Sequence, residues 1–115
     1  MDSSALSQTG SFRVPDHEID ARIAAIQRAL QRAGCDGLFV VQRADLFYFS
    51  GTSQQGWLYV PVEGTPLLMI FKEFNRAVDE SSLERIINLA SPKKIPATIE
   101  DHGLPLPQVL GMELD

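Results

Sequence analysis

The chain holds 115 residues, 44% of them apolar, with a formal net charge of -5, eight glycines, seven prolines and one cysteine. That length accommodates one hydrophobic core, so a function requiring two domains must draw on sequence outside it. Fifteen acidic residues against ten basic ones, with no basic run longer than Lys93-Lys94, supply no cationic face for a phosphate backbone, and nucleic acid is not the expected partner.

Cys35 has no second cysteine to bridge to, which fits a reducing compartment. No apolar run approaches the roughly 18 to 20 residues that span a bilayer. The first dozen residues, M-D-S-S-A-L-S-Q-T-G-S-F, have neither the basic nor the apolar region of a secretory signal. The expected location is therefore cytoplasmic, with no membrane partner, and residues 1–13 are read as a flexible leader.

Val14-Pro15-Asp16 reads as a helix start, with Asp16 able to accept hydrogen bonds from the free N–H groups of the first turn. Ile19, Ile23, Ile26 and Leu30 then recur at helical spacing, while Arg22, Arg28, Gln31 and Arg32 fall mostly off the stripe. The pattern predicts an amphipathic helix from Asp16 to Ala33, closed by Gly34. Gly37-Leu38-Phe39-Val40-Val41 predicts a strand buried on both faces. Asp45 to Ser50, D-L-F-Y-F-S, fits a short helical turn or a strand, and is followed by Gly51 and a polar loop, Thr52 to Gly56.

Trp57 to Val62 and Pro66 to Phe71, joined through Glu63-Gly64-Thr65, predict a hairpin; Pro61 and Pro66 belong at strand ends, bulges or an edge because they donate no ladder bond. Residues 72–79 predict a short helix. The segment 83–89 stays open: Ser81 and Glu84 have capping-box spacing, whereas Ile86-Ile87-Asn88-Leu89 suits a strand. Pro92 to His102 predicts a helix ended by Gly103, Leu104 to Pro107 an extended linker, and Val109 to Leu114 a strand. A strand running to Asp115 without a cap or polar tail leads to the expectation of a fragment of a longer protein.

The motifs for catalysis are incomplete. His17-Glu18 opens like a zinc-binding H-E-x-x-H helix, but position 21 is Ala21. His102 beside Glu100 and Asp101 reads as a solvated or capping residue. Gly51 to Gly56 has the glycine spacing of a phosphate loop, yet Trp57-Leu58 stands where lysine and a hydroxyl residue are needed. Ser50 lies in F-S-G rather than in a G-x-S-x-G elbow. Cys35 lacks a partner histidine or a CxxC spacing and reads as a small packed thiol. Phe47, Tyr48, Phe49, Trp57 and Tyr59 form an aromatic group whose readings are core packing with a loop anchor, or a binding patch.

The ordered series of a helix, G-C-D-G-L-F-V-V, D-L-F-Y-F-S-G and W-L-Y-V-P-V-E-G-T-P-L-L-M-I resembles the N-terminal domain of the creatinase, prolidase and Xaa-Pro aminopeptidase family. Asp45 to Gly51 matches its aromatic-rich segment, Glu63-Gly64 its hairpin turn and Gly111-Met112-Glu113-Leu114 its late G-x-E strand; the resemblance covers residues 18–115. It implies an α/β fold, a mixed β-sheet with helices on both faces, of the ribonuclease H-like type. It further implies that residues 14–115 form the N-terminal domain of a two-domain metallopeptidase whose catalytic pita-bread domain lies outside this chain. That absent domain would bind two divalent metal ions (Mn, Co or Zn), whereas this chain would supply no catalytic residue and no metal ligand.

The same resemblance implies a homodimer in which this domain walls the active-site entrance, often the neighbouring subunit's, with the peptide substrate held by the catalytic domain. The entrance candidates are Thr52, Ser53, Gln54, Gln55 and Trp57. Relatives usually carry an aromatic residue after the glycine; here Thr52 makes the wall more polar and Trp57 is the candidate to replace the bulk. Two other readings stand beside this one: a free-standing module binding a protein or peptide, and the N-terminal domain of a creatinase-like amidinohydrolase.

Overall fold

A computed structural model of the chain describes residues 14–104 and 110–112. The expected leader, the linker from Pro105 to Pro107 and both ends of the last expected strand lie outside the described residues. The elements run α1 (Asp16–Ala33), β1 (Gly37–Val40), α2 (Arg43–Ser50), β2 (Gly56–Pro61), β3 (Leu67–Ile70), α3 (Phe74–Glu80), β4 (Arg85–Asn88), a 3-10 turn (Pro92–Lys94), α4 (Ile95–Asp101) and β5 (Leu110–Met112).

The first helix has the expected bounds and buries Ile19, Ile23 and Leu30. It ends in a Schellman arrangement: Gly34, at φ 72°, donates to the Gln31 carbonyl at 3.2 Å, and Cys35 N–H reaches the Leu30 carbonyl at 3.0 Å. Its start differs from expectation. Pro15 occupies the N-cap and no side chain caps the helix; the Pro15 carbonyl accepts from Glu18 and Ile19 N–H, and Asp16 falls inside the first turn.

Among the described residues five strands are ordered β4-β3-β2-β1-β5. The two pairs around β2 are antiparallel, and the outer pairs β3/β4 and β1/β5 are parallel, so the sheet is mixed. Register sorts the side chains into two layers, because successive residues of a strand point to opposite faces. Leu58 lies opposite Val40 on one side and Leu68 on the other, and these join Val60, Ile70 and Ile86 under Ile19, Ile23 and Leu30 of α1, Leu46 of α2 and Ala77 of α3. On the other face Tyr59, Leu67 and Met69 pack with Ile87, Leu89 and Ile99 of α4. Both faces of the sheet are thus covered by helix, as the fold class requires.

The hairpin turns at Gly64, with φ 105°, and Pro61 and Pro66 flank it where a missing N–H leaves no gap in the ladder. Gln27 of α1 donates to the Pro61 and Gly64 carbonyls, both at 2.9 Å, which fixes the turn against the helix layer.

Three local outcomes were open or different. Asp45 to Ser50 is helical, turning Leu46 and Ser50 inward and Phe47 and Tyr48 outward. Residues 85–88 form a strand rather than a helix, because Ile86 and Ile87 each find a core on opposite faces; the Ser81 hydroxyl accepts from Leu83 N–H at 3.2 Å in a local turn. The expected helix from Pro92 to His102 begins instead as a 3-10 turn. Pro96 has no N–H to return to the Pro92 carbonyl, so the Ile95 N–H takes it.

Candidate functional site

The five entrance candidates follow the end of α2. Gly51 terminates that helix at φ 86° and donates to the Phe47 carbonyl at 2.8 Å. A side chain at this position would also stand 3.2 Å from the Glu80 carbonyl, so glycine allows α2 to close upon the end of α3. The preceding Ser50 is fully buried; its hydroxyl donates to the Leu46 carbonyl at 2.5 Å and accepts from Thr52 N–H at 3.2 Å.

Thr52 is fully buried as well. Its Oγ1 donates to Glu80 Oε1 at 2.6 Å and accepts from Gln54 N–H at 3.2 Å. The Gln54 amide nitrogen donates to the same carboxylate, at 3.2 Å to Oε1 and 3.4 Å to Oε2. Ser53, between this anchored pair, and Gln55, after it, face solvent. The Gln55 carbonyl accepts from Phe71 N–H at 2.9 Å, which joins the loop to the hairpin ladder.

Trp57 stands apart from the other four. It lies on the α4 face of the sheet, packed against Tyr59 and Met69, with its ring edge-to-face on Phe71 at a centroid separation of 6.3 Å. The structure therefore brings Thr52 and Gln54 together on α3, presents Ser53 and Gln55 outward, and places Trp57 across the sheet.

Beside the loop lies an open cleft of about 390 Å³, with Val41, Arg43 and Leu46 on one side and Gln54, Gln55 and Gly56 on the other. Sequence reading missed Glu80, 28 positions from Thr52, and the Arg43 side of the cleft. The signal available for Glu80 was indirect: a threonine hydroxyl that goes into a core needs an acceptor. Nothing in the spacing said which carboxylate would provide it.

The aromatic group divides. Tyr59 is buried, and burial raises its hydroxyl above the ordinary tyrosine range, with the neighbouring Asp36 carboxylate adding to the shift. Phe47 and Tyr48 are exposed; the Arg22 guanidinium lies 4.3 Å from the centre of the Tyr48 ring and donates to the Tyr48 carbonyl at 2.9 Å. Tyr48 also meets Phe49 edge-on at 5.0 Å.

Among the described residues no three His, Cys, Asp or Glu side chains come together in a way that could hold a metal ion. His17 is exposed on the first turn of α1, and His102 Nδ1 faces the Thr98 carbonyl at 2.9 Å. A dinuclear metal centre does not fit this set, and no chemical step is assigned to the chain. No described helix is long and apolar enough to cross a membrane.

The structure is similar to the creatinase/prolidase N-terminal domain of an X-Pro dipeptidase from Streptococcus pyogenes, with a TM-score of 0.68 and 21% identity over 83% of this chain and 77% of that one. It is also similar to the N-terminal domain of the cytoplasmic peptidase PepQ from Mycobacterium tuberculosis, with a TM-score of 0.64 and 22% identity over 81% of this chain and 72% of that one. Against the Xaa-Pro dipeptidase from Bacillus anthracis the TM-score is 0.69 at 18% identity, covering 83% of this chain and 27% of that one. A sequence comparison with curated proteins gives no match. The Creatinase/Prolidase N-terminal domain family model matches residues 22–115, and with the mixed two-faced sheet already described, the chain belongs to that family.

Proposed function

We propose that this chain is the non-catalytic N-terminal domain of a Xaa-Pro dipeptidase or aminopeptidase, that it supports a homodimer, and that its 52–57 segment shapes the entrance to the active site. The observation that carries the reading is the family match over residues 22–115. The similar solved structures agree with it, since they are proteins, or the N-terminal domain of one, named as Xaa-Pro peptidases. The match spans 27% of the Bacillus anthracis Xaa-Pro dipeptidase chain, and in this reading a catalytic domain with two divalent metal ions would occupy the remainder of the equivalent protein. In this reading residues 14–115 are the domain, residues 1–13 a leader that can be trimmed, and the cytoplasm the site of action.

The entrance wall is formed by the exposed Ser53 and Gln55 and by half-buried Gln54, with Thr52 holding the loop from within and Trp57 adding bulk on the other face. The test is Trp57→Ala in the full-length protein. We expect a changed preference between Xaa-Pro dipeptides and longer peptides, or a weakened dimer, with the bound metal unchanged. Loss of metal in proportion to activity contradicts the assignment.

A further inference from the structure

The loop that carries Ser53, Gln54 and Gln55 is tied to the sheet through the Gln55 carbonyl and to α3 through its side chains. Its anchoring side chains converge on one carboxylate from a different layer: Glu80 Oε1 receives both the Thr52 hydroxyl at 2.6 Å and the Gln54 amide at 3.2 Å, and Oε2 stands 3.4 Å from the same amide. The donor hydroxyl is fully buried, so losing its acceptor leaves an unsatisfied group that water does not reach.

The carboxylate is itself fixed. It is the last residue of α3, whose Ala77 is fully buried against the sheet, and the end of α3 meets Gly51 closely enough that only glycine avoids crowding the Glu80 carbonyl. One side of the cleft, Val41, Arg43 and Leu46, belongs to β1–α2; the facing side is Gln54, Gln55 and Gly56. Gln54, which lines the cleft, is thus tied to α3 through Glu80.

We propose that Glu80 is the positioning residue of the entrance loop, holding Thr52 and Gln54 so that the cleft keeps its width and longer peptides are discriminated from dipeptides. This rests on the domain reading above. Glu80 acts through the loop and touches no reacting atom, so its removal is expected to leave turnover of the shortest substrate intact.

The experiment has two readouts on wild type, E80A, E80Q and E80M. In the full-length protein, kcat and KM are measured for a Xaa-Pro dipeptide and for a longer peptide beginning Xaa-Pro. In this chain, amide hydrogen exchange is followed at Gln54 and Gln55. E80A and E80M are expected to speed exchange at those amides by about tenfold, and to shift the longer-to-shorter ratio of kcat/KM by about threefold or more through KM, with dipeptide kcat unchanged. E80Q, which keeps an acceptor oxygen, is expected to stay near wild type in both. If E80A does not fold, E80M, which keeps the side-chain length without an acceptor oxygen, carries the comparison. Faster exchange with an unmoved selectivity ratio overturns the gating role, and unchanged exchange overturns the anchoring role. A wild-type protein without Xaa-Pro turnover overturns the domain reading and the gating role with it, whereas the exchange data still report separately on whether Glu80 holds the loop.

Discussion

Gly56 stands where β2 passes over the backbone of β3, and a methyl group there would run into the Met69 carbonyl and the Ile70 backbone. Backbone atoms in a paired strand cannot swing aside as a flexible side chain can. Gly56→Ala is therefore expected to cost about 2 kcal/mol or more in urea unfolding, as an overpacked core site does. Gly37 is crowded differently: its neighbour is the Tyr59 ring, whose hydroxyl would lie 2.5 Å from an added methyl. That tyrosine makes a second prediction at this scale. Its folded pKa lies above the ordinary tyrosine value of 10.0, so the contribution it makes is full below pH 10.0 and is lost as pH rises from there through the raised folded value. A stability profile in alkaline buffer should fall in that window for wild type and fall less for Tyr59→Phe; equal slopes contradict the assignment. Neither crowded glycine was legible beforehand, because a glycine in a strand announces a close approach without naming what approaches.

At the scale of elements, α1 was read to its bounds because its signals agree: an apolar stripe of Ile19, Ile23 and Leu30, acidic residues in the first turn and Gly34 as the left-handed stop. The 83–89 segment could not be settled from sequence, since Ser81 and Glu84 favour one outcome locally and Ile86 and Ile87 favour another through packing. Tertiary burial decides it, with one isoleucine on each face of the sheet. Helix α4 shows the opposite case, where a local feature, the missing N–H of Pro96, overrides the simple helix expected across Pro92. The central hairpin carries the packing, and Leu58 on β2 is fully buried between Val40 and Leu68. Leu58→Ala is expected to destabilise the fold by about 2–5 kcal/mol. Tyr48→Ala on exposed α2 should cost well under half as much, because it forfeits only surface contacts with Arg22 and Phe49. Comparable losses would mean that the sheet is not the main source of stability.

For the whole molecule, one ordered set of weak motifs was sufficient to indicate the family, while the geometry of the candidate site was not recoverable from it. The 52–57 segment was visible as a polar loop followed by a tryptophan. That Thr52 and Gln54 share the Glu80 carboxylate, and that Trp57 lies across the sheet from them, depends on strand register and on α3 docking, neither of which local spacing encodes. The division of labour proposed here places binding geometry in this domain and bond cleavage in another. The most direct test is to assay this chain and the full-length protein of which it is proposed to form the N-terminal part, each supplied with manganese, on Xaa-Pro dipeptides. The account predicts turnover by the full-length protein and none by the chain alone; turnover by the isolated chain, or none by either, contradicts it.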